Sequence, residues 1–323
     1  MESEKETGLG ASVRRVEDER LLTGKGHYVD DLTLPNTVFA YIVRSPHAHA
    51  RILGIDTKAA SSAPGVLTVL TGQDLIVQDL GTLRCQSFPK GSSGTSSFCP
   101  EQPLLASDKV RYVGEGIGLV VAETLAQAKD AGELFQVKYD ILPAVTLIDA
   151  HAPGASKVWE EAESNLTFQI ESGDADSVSR QFEVADYVTK ISVHYPRATA
   201  NSMEPRAALA YRDNIDGRFT LCSSAQEPHG VKEVVSRVLG ISQLKIRVVA
   251  MDVGGAFGMK GQVYPEEPLV LWAAINLDRP VKWTADRSEA ITTDMHGRGL
   301  SAEAELALTK EGKFLAFRTS VLV

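Results

Sequence analysis

Val38–Arg44 alternates apolar and polar positions as a strand does, and Arg51–Asp56 reads as another. Thr57–Ala63 predicts a short helix closed by Pro64 and Gly65, with a strand at Val66–Leu70 behind it. Residues 79–103 are rich in Gly, Ser and Pro and form a long loop, the kind that is usually functional or disordered. Gly116–Ala122 is a strongly apolar strand. Thr124 is placed to cap a helix running through Phe135, with Leu125, Ala128, Ala131, Gly132 and Phe135 on one face. Phe135–Tyr139 is the next strand, and 141–165, with Pro143, Pro153 and Gly154, reads as a linker.

The second half carries the cleaner pattern. Ala207–Tyr211 and Arg218–Ser223 are apolar strands. Pro228–Leu239 is an amphipathic helix with Val231, Val234, Val235, Val238 and Leu239 on one face, closed by Gly240. Lys245–Val253 is a strand. Pro265-Glu-Glu267 opens a helix that continues through Leu269–Ile275, apolar on all sides and therefore buried, and Pro280–Thr284 is a strand. The result is a β-α-β-α-β order. If its strands are parallel, the loops leaving their C-terminal ends share one sheet edge, where ligands of such sheets bind. Those loops are Ser224–Glu227, Gly254–Gly261 and Ala285–Glu289. The final run, Lys313–Val323, reads as a strand without a closing turn. It calls for a pairing partner and suggests a fragment of a longer protein.

Length and composition narrow this picture. The 323 residues suggest about two domains. We divide them into an N-terminal arm (1–37), a first domain (38–145) and a second (146–323), of mixed α+β class. A net charge of −9 without a basic stripe argues against nucleic acid. The acidic start, Met1–Gly8, has no secretory character, and no apolar run approaches the ~18 residues of a membrane span, so a cytoplasmic location is expected. Cys85, Cys99 and Cys222 form no C-x-x-C, which excludes a self-contained iron–sulfur cluster or Cys-rich zinc site.

The strongest candidate for chemistry is Asp252-Val-Gly-Gly-Ala-Phe-Gly-Met-Lys260, between a strand and a helix. Its glycines let the backbone turn sharply and approach a ligand. It is no Walker A loop, because Met259 separates Gly258 from Lys260. Nor do Gly254, Gly255 and Gly258 have dinucleotide-fingerprint spacing. Gln226, just past a strand end, either caps its loop or donates to an oxygen of a bound group. Phe257 either walls a funnel or pins the loop. Glu204 and Arg206 are expected to form a structural ion pair, and His47 and His49 a structural turn. No Ser/His/Asp arrangement, G-x-S-x-G or acid–base carboxylate pair stands out.

Several motifs occurring in order give the chain a resemblance. They are Val13–Gly24 with Tyr28–Asp31, Arg44-Ser-Pro-His-Ala-His-Ala-Arg51, Arg111–Glu115, Met203-Glu-Pro-Arg206, Gln226 and Gly254–Lys260. Together they resemble the molybdenum-binding large subunit of the xanthine dehydrogenase, aldehyde oxidase and aerobic carbon monoxide dehydrogenase family. The resemblance implies an α/β hammerhead domain followed by the first part of a molybdenum-cofactor domain. It implies oxidative hydroxylation of an aldehyde, an N-heterocycle or carbon monoxide, with water as the oxygen source. The implied cofactor is molybdenum–molybdopterin cytosine dinucleotide. Electrons would leave through [2Fe-2S] centres on a small subunit to FAD on a medium subunit, in a dimer of heterotrimers.

By the same resemblance, Gln226 hydrogen-bonds an oxo ligand. Gly255, Ala256, Phe257 and Gly258 line the cofactor, with the Phe257 and Gly258 amides near the apical ligand. Gln226 and Phe257 thus surround the molybdenum without ligating it. No catalytic residue is expected here, because the family's glutamate base belongs to a C-terminal remainder of the subunit beyond Val323. Purine oxidisers carry an acid directly after the loop lysine, whereas this chain has Gly261, which argues against a purine. Two other readings are a non-catalytic assembly module, inactive alone, and a nucleotide-binding α/β enzyme.

Overall fold

The computed structural model describes residues 8–85, 98–146, 150 and 153–323. Most of the acidic start, the middle of the 79–103 loop and part of the 141–165 linker lie outside them. In chain order the elements are α1 (Asp18–Leu22), β1 (Val38–Arg44), β2 (Ala50–Asp56), α2 (Lys58–Ser61), β3 (Val66–Thr71), α3 (Gly72–Val77), β4 (Lys109–Val110), β5 (Gly116–Ala122), α4 (Leu125–Glu133) and β6 (Gln136–Ile141). There follow α5 (Ala175–Glu183), β7 (Tyr187–Ala198), β8 (Ala207–Arg212), β9 (Phe219–Ser223), α6 (Pro228–Leu239), β10 (Ile246–Ala250), α7 (Glu266–Leu277), β11 (Val281–Thr284), α8 (Arg287–Thr293), β12 (Gly297–Leu308) and β13 (Phe314–Leu322).

Seven strands form one sheet in the order β10-β9-β8-β11-β1-β5-β3. β9 and β10 are parallel, and β8 runs against both β9 and β11. β9, β10 and β11 therefore point the same way, which meets the condition set for a shared loop edge, but β8 is inserted antiparallel between β9 and β11. The small apolar residues Ala207, Ala208, Leu209 and Ala210 are each at most 3% exposed, which suits a central position. β8 consequently starts at the same edge where β9, β10 and β11 end.

β1 joins β11 in parallel and carries β5 and β3 on its other side. The segments before and after residue 145 thus share a sheet and a core: Ile42, Leu119 and Leu105 cluster with Leu221, Val235, Leu269 and Leu271. β2, β4 and β6 make a smaller sheet beside it. Thr124 caps α4 by accepting from the Gln127 N–H, though Leu125 turns outward rather than onto the buried face. On the face of β8 and β9 away from α6 and α7, Val29, Leu32 and Leu34 of the N-terminal arm cover Ala207, Leu209 and Cys222.

The last strand finds its partner within the chain. β13 pairs antiparallel with β12 through a turn in which the Thr309 N–H donates to the Lys313 carbonyl (2.9 Å), and β12 pairs with the long strand β7. Both histidines of the 44–51 run are structural. His47 N–H donates to the Ser45 hydroxyl at 3.0 Å, and His49 Nδ1 lies 2.9 Å from the Pro143 carbonyl.

The first turn of α7 is buried although it begins with two acids. Glu266 is 2% exposed and receives Arg44 at 2.6 Å and Arg206 at 2.7 Å. Burial opposes its charge, but the two guanidiniums outweigh burial and hold the carboxyl down at about 2 from an ordinary 4.5. Its stabilisation is therefore complete above pH 4.5 and is lost as pH falls toward 2. Glu267 is the opposite case. It accepts from the Ser223 hydroxyl (2.9 Å) and the Tyr264 N–H (2.7 Å), yet burial pushes it up to about 7. Its folded-state preference for the proton stabilises below pH 4.5 and is lost as pH rises through 7.

Two outcomes are expected. Urea unfolding at pH 7 should show Glu266→Gln destabilised by roughly 3 kcal/mol, because two buried guanidiniums lose a counter-charge. Repeating the melts from pH 4.5 to 8 should show Glu267→Gln losing less stability than the parent as pH rises. Parallel pH curves for the two proteins would refute the burial account of Glu267.

Candidate functional site

Four connections meet at the edge where β9, β10 and β11 end and β8 begins. Gln226 follows β9 and is exposed. Its backbone N–H donates to the Lys260 carbonyl at 2.9 Å, so it is fastened to the loop after β10. A Cβ added to Gly261 would lie 3.6 Å from Gln226 Oε1, which places the amide beside the loop's exit. Among the described residues the Gln226 side chain has no hydrogen-bond partner. The structure thus brings Gln226 to the exit of the loop that carries Gly255–Gly258.

The loop's shape explains its composition. Phe257 has φ +53°, a left-handed conformation that costs a non-glycine residue roughly 1–2 kcal/mol. A side chain on Gly254 would sit 2.6 Å from Glu204 Cβ, and one on Gly255 would sit 2.9 Å from the Phe257 ring. Phe257 is 76% exposed, so its ring is presented outward and does not anchor the core. Met259 N–H returns to the Ala256 carbonyl (3.0 Å) and Gly261 N–H to Gly258 (3.1 Å). The N–H groups of Gly255, Ala256, Phe257 and Gly258 have no acceptor among the described residues. Successive unpaired amides around left-handed residues form a concavity suited to an oxygen-rich, electron-dense group.

The surroundings hold this strained turn in place. Arg20 grips Asp252 through two nitrogens, one at 2.8 Å from Oδ1, and the His27 N–H adds a bond of 2.8 Å. Together they hold the Asp252 carboxyl far below the usual carboxylate range. At the other end Tyr264 OH donates to the Met259 carbonyl (2.8 Å) and accepts from the Met295 N–H (3.0 Å). The Tyr264 ring carries the Arg206 guanidinium, 3.7 Å from its centroid. Glu204 and Arg206 do not pair with each other. Arg206 binds Glu266 and Asp294, each at 2.7 Å, while Glu204 binds Lys260 at 2.8 Å.

Sequence reasoning missed Arg20, Tyr264 and the pairing of Lys260. Val13–Gly24 was read only as part of a resemblance, and the acids of α7 only as helix-start charges. No spacing rule links positions so far apart in the chain.

A cavity of about 660 Å³ lies on the side of β1 and β5. Arg44, Arg111, Glu115, Tyr264 and His296 line it, and Gln226 and Gly255–Gly258 do not. Burial pushes Glu115 up to about 7 there. The unpaired amides make the glycine loop the better candidate site. Its donors are neutral, and the described residues hold no cluster of three His, Cys, Asp or Glu that could bind a metal directly. Neutral N–H donors of this kind would suit the oxygen atoms of an organic, metal-carrying cofactor.

Comparison with known proteins agrees with this geometry. Residues 23–143 match the family described as aldehyde oxidase and xanthine dehydrogenase, a/b hammerhead domain, and residues 158–323 match the molybdopterin cofactor-binding domain. The chain is 37% identical to the carbon monoxide dehydrogenase large chain of Afipia carboxidovorans, covering 99% of this chain and 40% of that one. It is 38% identical to the nicotine 6-hydroxylase large subunit of Paenarthrobacter nicotinovorans, covering 98% and 38%. The structure of quinoline 2-oxidoreductase from Pseudomonas putida superposes with a TM-score of 0.87 at 35% identity, covering 97% and 39%. The chain spans about 40% of the length of the curated relatives it matches. With one segment matching the hammerhead domain and the next matching the molybdopterin cofactor-binding domain, the chain belongs to the molybdenum-binding subunits of the xanthine dehydrogenase family of molybdenum-dependent oxidoreductases.

Proposed function

We propose that this chain is the first part of the catalytic subunit of a molybdenum hydroxylase and builds one wall of its active site. The observation that carries the reading is the row of N–H groups at Gly255–Gly258 without acceptors among the described residues, in a loop whose exit adjoins the equally unpartnered amide of Gln226. The group they would face is molybdenum–molybdopterin cytosine dinucleotide. When bound, it supplies a two-electron oxidation with water as the oxygen source. Gln226 would donate to one of its oxygens, and the Phe257 and Gly258 amides would stabilise negative charge nearby. Donors fixed before reaction need no reorganisation during it, which is the strength of such sites. The exposed Phe257 ring would exclude water from one side. Gln226 and Phe257 surround the metal in this reading and do not ligate it.

We assign no acid or base to residues 1–323. The substrate class is an aldehyde, an N-heterocycle or carbon monoxide. Gly261 presents no carboxylate beside Gln226, which disfavours a purine. Electrons would pass to [2Fe-2S] and FAD on partner subunits, in a cytoplasmic dimer of heterotrimers. Residues 38–145 and 146–323 are the proposed hammerhead and cofactor domains of this assembly.

The test is the complete subunit co-expressed with its partners. Molybdenum and, after acid hydrolysis, CMP should co-purify in equal amounts. Gln226→Ala should retain both and lower kcat by about a hundredfold, the scale for loss of one preorganised donor. Unchanged turnover would favour the assembly-module reading, and a complex without molybdenum would end the proposal.

A further inference from the structure

The glycine loop is fastened at both ends to one carboxylate. Glu204 Oε2 accepts from the Gly254 N–H at 2.8 Å and from Lys260 Nζ at 2.8 Å. Lys260 Nζ also donates to the Glu204 carbonyl at 2.9 Å, and the Glu204 N–H donates to the Gly254 carbonyl at 3.1 Å. Gly254 and Lys260 are thus drawn to one residue, and Ala256–Gly258 bow outward between them. The Lys260 backbone carbonyl then accepts from the Gln226 N–H at 2.9 Å. One continuous path of hydrogen bonds runs from Gly254 through Glu204 and Lys260 to Gln226.

The pair is placed to act through other groups. The Lys260 side chain is 1% exposed and that of Glu204 11%, so neither faces a ligand bound at the outward amides. A buried ammonium is sustained only by a close counter-charge. Among the described residues the second carboxylate oxygen, Glu204 Oε1, is buried without a hydrogen-bond partner, so Oε2 carries the side chain's share of the fastening. Arg287 braces the same segment from the β11 exit, donating to the Ser202 carbonyl at 2.8 Å and the Met203 carbonyl at 3.0 Å. Loss of the Lys260 side chain therefore frees the loop's exit from Glu204 while the 201–206 segment stays held and the backbone bond to Gln226 remains.

We propose that Glu204 and Lys260 are positioning residues whose buried ion pair couples the Gly255–Gly258 amides to Gln226, so that both walls of the cofactor site move as one unit. This rests on the cofactor reading above for its catalytic consequence, but the coupling itself is a property of the protein. Lys260→Met and Glu204→Gln, alone and together, are made in the complete subunit assembled with its partners. Molybdenum content should stay at the parent level. The Mo(V) electron paramagnetic resonance signal of the reduced enzyme should shift, and kcat should fall about tenfold or more with KM little changed, as misplacement of a preorganised group produces. The double variant should lose no more than the worse single variant, because both act on one path.

Parent-like kcat and an unshifted signal alongside a lowered Tm would overturn the proposal by showing a role in stability alone. A raised KM with unchanged kcat would overturn it by showing substrate contact. If Lys260→Met does not accumulate, Gly254→Ala serves instead. It leaves every charge in place but sets a methyl 2.6 Å from Glu204 Cβ, and the same shifts are expected. Hydrogen exchange of the cofactor-free complex tests the coupling separately from the cofactor reading. Peptides covering 224–227 and 252–261 should exchange faster together in Lys260→Met. Acceleration of 252–261 alone overturns the coupling, whereas a parent complex without molybdenum overturns only the cofactor reading.

Discussion

Everything at the functional edge rests on a carboxylate that water cannot reach. Glu266 joins Arg44 at the end of β1 to Arg206 at the start of β8, although β11 separates those strands in the sheet. Arg206 continues to Asp294 and Arg44 to Glu289, so two guanidiniums meet three carboxylates with little solvent. Burial raises the affinity of Glu289 for a proton, against the pull of Arg44. Such networks contribute little net stability, since desolvation cancels much of the attraction. Their effect is selection: one relative placement of β1, β8, α7 and α8 satisfies all the charges, and any slip strands one of them. The glycine loop needs that fixed base, because Tyr264, stacked on Arg206, holds the loop from beneath.

The site's chemistry follows from what the edge lacks as much as from what it holds. A loop of neutral amides beside a neutral side-chain amide presents partial positive charge without a net ion. It suits oxygen atoms whose electron density changes during reaction. Strain is part of the device. Phe257 adopts a left-handed backbone that isolated peptides avoid, and Arg20, Glu204 and Tyr264 hold the turn from three directions.

The elements of this fold were readable where one period dominated. Pro228–Leu239 showed an unbroken apolar stripe and ended at Gly240, which takes the left-handed conformation a helix terminus favours. The common edge of the β9, β10 and β11 loops followed from their order once the strands were taken as parallel. The antiparallel insertion of β8 did not, because Ala207–Tyr211 signals burial without direction. α5 and α8 were missed although Asp174 and Asp286 cap them by accepting from Ser177 and Glu289 N–H groups, a signal present in the sequence but surrounded by polar residues. The site was legible as a glycine loop and a glutamine. Its supports were not, because ion pairs such as Arg44–Glu266 and Lys260–Glu204 join residues that only the completed sheet brings together.

The grip of Arg20 on Asp252 spans 232 positions of sequence. Closing so long a loop carries an entropic cost that local contacts cannot offset in advance. During synthesis the arm bearing Arg20 and His27 must wait, without its partner, until the end of β10 has emerged and paired. The glycine loop gains this brace only when both ends of that separation are in place. The shape of the loop's entry thus depends on a contact between the two ends of a 232-residue separation.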